Sequence, residues 1–182
     1  MAEEVLQFLE TRRGLLGGVV ITGGEPLCQR ALPDFMRCVR RMGFRLKLDT
    51  NGTHPERLRA LLEAEDTRPD YAALDFKAPP EGYPALTGQD AGGRVLESLD
   101  VLRRSGIAFE VRTTVVRPMH TRDVLGEMAG FLRPEETWFL QRFRNSGAIL
   151  APTAGLSAPD AGELDKFARD VSSRLGIRLG IR

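Results

Sequence analysis

The sequence predicts an α/β fold, a partial (β/α) barrel of about five to six parallel strands, with residues 1–182 read as a single domain. Three observations predict it. Short apolar runs alternate with helix-period segments at least five times, with no composition break between them, which is the pattern of parallel strands joined by right-handed crossovers. Polar clusters recur at one topological position, just after the strands: Gly24-Glu25, Asp49-Thr50-Asn51, Asp75-Phe76-Lys77 and Gln141-Arg142. In a (β/α) barrel those strand ends converge on one mouth. Finally, 182 residues with 42% apolar and 28% charged side chains are enough for one domain with a proper core.

The elements follow in order. Residues 3–13 read as a helix with Val5, Phe8 and Leu9 on one face. The first strand is residues 18–21, a β-branched run expected to be buried on both faces. It stops at Gly23-Gly24-Glu25-Pro26. The glycines let a ligand approach the backbone closely, and Pro26 ends ladder pairing. From spacing alone, this turn serves equally as a ligand site or as a plain strand-to-helix turn. Pro33 opens a second helix, striped by Phe35, Cys38, Val39 and Met42 and closed by Gly43. A strand over 45–48 ends in Asp49-Thr50-Asn51-Gly52, and Pro55 opens a helix carrying Leu58, Leu61 and Leu62. A strand over 71–74 runs into Asp75-Phe76-Lys77, with Pro79-Pro80 expected as a hard stop. A helix over 94–104 is capped by Gly106, and a strand over 108–116 carries Arg112 and the Thr113-Thr114 pair. A helix over 123–132, a strand over 138–140, a helix over 160–175 and a last strand within 177–181 complete the chain. A helix where a strand is expected to come first makes the chain read as beginning part-way into a fold, with the first strand at a raw edge.

Composition excludes some classes of function. A formal net charge of +1 gives no global argument for nucleic acid or an anionic membrane as partner. No apolar run is long enough to cross a bilayer, and Met1 does not begin a signal peptide. Two cysteines make no disulfide framework, which fits a reducing cytoplasm. Lysine occurs only at Lys47, Lys77 and Lys166, which singles out Lys77 beside Asp75.

Other reactive residue types have plainer readings. Cys38 lies on an apolar stripe and is expected in the core, and Cys28 is expected to pack rather than to ligate. His54 caps the helix opened by Pro55 or lies exposed, while His120, in a loop after Pro118, is expected at the surface rather than facing the site. Trp138 belongs to core or rim. Arg142 and Arg144 flank the mouth, in position to meet solvent or an acidic partner. Residues 151–161, rich in small residues, carry no nameable chemistry.

Taken together, Gly23-Gly24-Glu25-Pro26, Leu48-Asp49-Thr50-Asn51-Gly52 and Leu74-Asp75-Phe76-Lys77-Ala78 resemble the radical S-adenosylmethionine (SAM) superfamily. The nearest resemblance is to its glycyl-radical-enzyme activating type, especially the activator of anaerobic ribonucleoside-triphosphate reductase. It runs from about residue 6 to residue 142. It implies an S-adenosylmethionine cofactor whose amino group is received by Gly23, Gly24 and Glu25, with Asp49, Asn51 and Lys77 also binding the cofactor. It implies a monovalent cation at Asp49, Thr50 and Asp75, and it places Lys77 and Arg112 facing the cofactor and the reacting centre. It implies a glycyl-radical enzyme as partner and an electron donor such as flavodoxin or ferredoxin. The family's four-iron four-sulfur cluster is held by a C-x3-C-x2-C motif, which this chain lacks; Cys28 and Cys38 cannot supply three thiolates.

Two functions are therefore expected to compete. One is a radical S-adenosylmethionine activase that is incomplete at its N-terminus and inactive alone. The other is a non-catalytic derivative that keeps the barrel as a binding module. The polar set of Glu25, Asp49, Asp75 and Lys77 favours the first, because a pure scaffold has no need of it. A phosphate-binding barrel is weaker, since no glycine-rich anion loop precedes a helix.

Overall fold

The computed structural model describes residues 2–144 and 155–182. Six strands and seven α-helices occur among the described residues, in the order β1 to β6 across the sheet. Residues 151–154 of the small-residue stretch lie outside the described residues. The chain divides into two compact units: Met1–Asp75 with Gly93–Phe109, and Phe76–Gly92 with Glu110–Arg182.

The first unit is built on three parallel strands, β1 (Gly18–Ile21), β2 (Arg45–Thr50) and β3 (Tyr71–Asp75). Ile21 lies opposite Leu48, and Asp49 and Thr50 lie opposite Ala73 and Leu74. Its helices are α1 (Ala2–Glu10), α2 (Leu32–Arg41), α3 (Pro55–Glu63) and α5 (Gly92–Ser105), with a short 3-10 turn, η1 (Pro26–Cys28). The core holds Met36, Val39, Leu46, Leu48, Leu58, Leu74, Val95, Leu99 and Leu102, all essentially buried. Burying one such side chain is worth about 1.5–3 kcal/mol. Strand β2 shows why the sequence folds this way: Leu46, Leu48 and Thr50 are buried, and Arg45, Lys47 and Asp49 take the other face, the two-residue period of a pleat.

The structure departs from three expectations. β1 is not buried on both faces: its side chains are half-buried or exposed, and Val20 is 54% exposed. Among the described residues it is the edge strand and pairs on one side, with β2. Helix α1 ends at Glu10, and Thr11–Arg13 form turns. Cys38 is half-buried rather than core, with Arg41 Nη2 donating to its Sγ at 3.2 Å.

The second unit carries β4 (Ala108–Val115, most of it), β5 (Thr137–Arg142) and β6 (Arg178–Ile181), again parallel, with Trp138 opposite Val111 and Leu179. α6 (Arg122–Ala129) and α7 (Ala161–Leu175) cover it. Thr121 and Asp160 cap these helices by accepting backbone N–H bonds, from Val124 and from Gly162 and Glu163. Trp138 is fully buried; its indole N–H donates to Thr113 Oγ1 at 2.9 Å, and Thr113 donates on to the Phe76 carbonyl at 2.6 Å. Across the strands, Glu110, which is buried, takes both nitrogens of Arg182 at 3.0 and 3.1 Å. The same guanidinium lies 3.5 Å from the centroid of the Phe139 ring.

After β3 the chain does not simply stop at the prolines. Pro80–Gly82 form a second 3-10 turn and Tyr83–Thr87 a short helix, α4. Proline at the first helical position loses only an N–H that had no intrahelical partner, so it starts a helix as readily as it ends a strand.

Candidate functional site

The glycines of the turn after β1 adopt conformations that only glycine takes easily, Gly23 at φ +94° and Gly24 at +54°. A Cβ at either position would meet nothing within 4 Å, so open space lies beside this backbone. The turn is fixed from its other side by Glu25. Glu25 Oε1 accepts from Leu27 N–H at 3.1 Å and from the Thr50 hydroxyl at 2.8 Å, and Oε2 accepts from Asn51 N–H at 2.6 Å. One carboxylate thus clasps the turn after β1 to the end of β2.

The end of β2 is itself tightly organised. Thr50 Oγ1 accepts from Gly52 N–H, and Asn51 Oδ1 accepts from both the Thr53 amide and its hydroxyl. Gly52 sits at φ +75°, where a Cβ would lie 2.6 Å from Leu74 Cδ1, and the buried Ser98 hydroxyl donates to its carbonyl at 2.7 Å.

The structure divides the residues expected to bind a cation. Asp49 and Ala73 are register partners, so Asp75, two residues on, shares Asp49's face. Thr50 projects the other way, with its hydroxyl joined to Glu25 and Gly52. Asp49 stands 3.6 Å from Lys47 Nζ. The two-residue period of β2 already places Lys47 on the face of Asp49, so this neighbour is encoded in the sequence.

Lys77 and Arg112 belong to the second unit. Both backbone polar groups of Lys77 are engaged: its N–H donates to Tyr83 Oη at 3.0 Å, and its carbonyl lies 2.8 Å from His120 Nε2. Val116 N–H donates to His120 Nδ1 at 3.1 Å, so Nε2 carries the proton that reaches Lys77 O. His120 is therefore buried, contrary to the surface position expected for it. The carbonyl and the imidazole satisfy each other away from water, which a loop histidine in sequence does not announce. Lys77, Glu81, Met119, His120 and Glu127 line a cavity of about 440 Å³. Arg112 lies within β4 rather than at its end, half-buried, and its carbonyl accepts from Phe76 N–H at 2.8 Å.

Cys28 and His54 also depart from their expected roles. Cys28 is exposed rather than packed, with its Sγ 3.1 Å from His54 Nε2. His54 occupies the N-cap position of α3, yet its side chain makes no capping bond. Among the described residues no group of three or more His, Cys, Asp and Glu side chains is placed to hold a metal ion, and no helix is long and apolar enough to cross a membrane.

Comparison with known proteins adds an independent finding. The family profile described as the radical SAM superfamily matches residues 1–132. A Methanocaldococcus jannaschii protein named for glycyl-radical enzyme activation is 27% identical over 157 residues, covering 83% of this chain and 65% of that protein. The 7-carboxy-7-deazaguanine synthase of Methanopyrus kandleri is 38% identical over 81 residues, 43% of this chain and 31% of that enzyme. The chain thus spans less than two thirds of the length of these curated relatives. Among solved structures, a domain of pyruvate-formate lyase-activating enzyme from Bacteroides vulgatus superposes with a TM-score of 0.73 at 15% identity, covering 92% of this chain and 99% of that one. Streptococcus suis SuiB bound to S-adenosylmethionine gives 0.73 at 12% identity, covering 100% and 43%. At these identities the two superpositions establish the fold.

Proposed function

This chain belongs to the radical SAM superfamily, and from that premise we propose that it is the S-adenosylmethionine-binding part of an enzyme that activates a glycyl-radical protein. The resemblance to a relative named for that activation supports the reading. The observation that carries it furthest is the Glu25 clasp. A carboxylate offers about four lone-pair directions, and three are used by Leu27, Thr50 and Asn51. The fourth, with the carbonyls of Gly23 and Gly24 beside open space, suits the three N–H donors of an ammonium group. Glu25 thus has two tasks: it fixes the turn and it receives the ligand's amino group. Asp49 and Asp75, on one face, are assigned the cation that the resemblance implies.

Bound S-adenosylmethionine would supply the radical chemistry that removes a hydrogen atom from a glycine of the partner protein, and Gly23, Gly24 and Glu25 would hold its amino group. Cys28 and Cys38, the chain's two cysteines, do not fit a cluster that needs three thiolates. The chain's own residues bind and orient. Lys77 and Arg112 keep the cofactor-facing roles that the resemblance implies. The partner we assign is an anaerobic ribonucleotide reductase, with flavodoxin or ferredoxin as electron donor, in the cytoplasm.

Titration of the chain with S-adenosylmethionine tests the reading. Three or four hydrogen bonds, less the entropy of association, give a dissociation constant on the order of millimolar. The amides of Gly23, Gly24 and Asn51 should shift in NMR spectra as the ligand is added. Glu25→Gln, which replaces an acceptor by an N–H₂ group, should abolish saturation. No saturable shift in the parent chain up to about ten times that concentration would overturn the assignment.

A further inference from the structure

Cys28 lies one 3-10 turn beyond Glu25, exposed, in an arrangement that the proposed cofactor chemistry does not use. Its Sγ is 3.1 Å from His54 Nε2. On the far side of the ring, His54 Nδ1 is 3.6 Å from Glu56 Oε1. Glu56 is itself held by Arg94, whose Nη2 donates to both carboxylate oxygens at 3.0 and 3.1 Å while its Nε donates to the Thr53 carbonyl. All of these residues belong to the first unit. A carboxylate only accepts, so it favours the His54 tautomer with the proton on Nδ1, which leaves the Nε2 lone pair facing the thiol. Nucleophile, base and orienting acid thus stand in the relation that activates thiols. Cys38 provides the contrast: its neighbour is Arg41, a guanidinium that cannot take a proton.

We propose that Cys28 is a nucleophilic thiol, activated by His54 and Glu56, and is a site of oxidation by hydroperoxides. His54 Nε2 takes the Sγ proton, and the thiolate attacks the terminal peroxide oxygen. An S–O bond forms as the O–O bond breaks, and the leaving hydroxide or alkoxide takes up the proton held on His54. Sulfur loses two electrons, the peroxide gains them, and a sulfenic acid remains on Cys28. His54 acts on the reacting atoms as general base and then general acid, and Glu56, which meets only the far side of the ring, is a positioning residue. The proposal is independent of S-adenosylmethionine binding.

The test uses the full chain with Cys38→Ser, so that Cys28 is its one thiol. Iodoacetamide alkylation is followed by mass spectrometry, folded and in urea, and dimedone capture is followed after hydrogen peroxide. Cys28 should react about tenfold faster in the folded chain than in the unfolded one, a comparison that needs no substitution at the site. His54→Gln should remove that advantage, and Glu56→Gln should reduce it by about threefold, with circular dichroism confirming that both variants fold. The complementary Cys28→Ser chain should show no folded-state acceleration at Cys38. A folded rate equal to or below the unfolded rate, an unchanged rate in folded His54→Gln, or no dimedone adduct on Cys28 would each overturn the proposal.

Discussion

Gly23 and Gly52 both hold positive φ, at +94° and +75°, but their surroundings differ. An alanine at Gly23 would meet nothing within 4 Å, so Gly23→Ala should cost only the left-handed backbone term, about 1–2 kcal/mol. Gly52→Ala adds a collision with Leu74 Cδ1 at 2.6 Å, a side chain that is fully buried and must repack. Its total cost should reach about 2–4 kcal/mol. Urea denaturation of both variants checks this: Gly52→Ala should have clearly the lower midpoint, and equal midpoints would mean that Leu74 relaxes freely. The ligand side should reverse the order, because Gly23 is the one assigned to S-adenosylmethionine. Glu25 shows what sequence alone withholds at this scale. That an acid follows the two glycines is plain to read, but its three donors come from positions 27, 50 and 51. Only the parallel pairing of β1 with β2 brings the last two within reach.

Helix α3 begins on a network of charges rather than on a capping side chain. Glu56 lies in its first turn, and its carboxyl is held below the ordinary carboxylate range first by a backbone N–H bond, then by Arg94 and by His54. A depressed carboxylate contributes stability that is present above its unfolded value and is lost as pH falls through the folded one. The first turn of α3 should therefore hold its amides at neutral pH and loosen as pH falls through the carboxylate range. Hydrogen exchange at Arg57 and Leu58, whose N–H groups donate to the His54 carbonyl, reads this directly. Protection that stays constant across that range would show that Glu56 plays no part. Most elements of this kind were legible in the sequence, because Pro55 at a helix start and Gly43 and Gly106 past helix ends are local signals. The short helix α4 was not, because Pro79-Pro80 reads equally as a stop and as a start.

At the scale of the whole chain, the alternation of six strands with helices was readable, since it depends only on apolar period and on turn residues. What stayed hidden depends on which element lies beside which. His120 is buried with its Nε2 on the Lys77 carbonyl, and Cys28 is exposed with an imidazole beside it, pairings that lie far apart in sequence. β1 follows the same logic, for its apolar sequence is that of a central strand while its place in the strand order is at the margin.

That margin governs how the purified protein behaves in the tube. A strand pairing on one side only leaves a row of N–H and C=O groups turned outward, and Val20, Leu15 and Leu16 expose greasy side chains close by in sequence. Such a ledge recruits strands from other molecules indiscriminately, so turbidity should climb with concentration and warming. Val20→Lys sets a charge on the ledge at a side chain already 54% exposed, which leaves the interior untouched. Static light scattering of the two proteins should then diverge, with the lysine variant remaining clear where the parent clouds. Identical clouding curves would mean that the sticky surface lies elsewhere on the molecule.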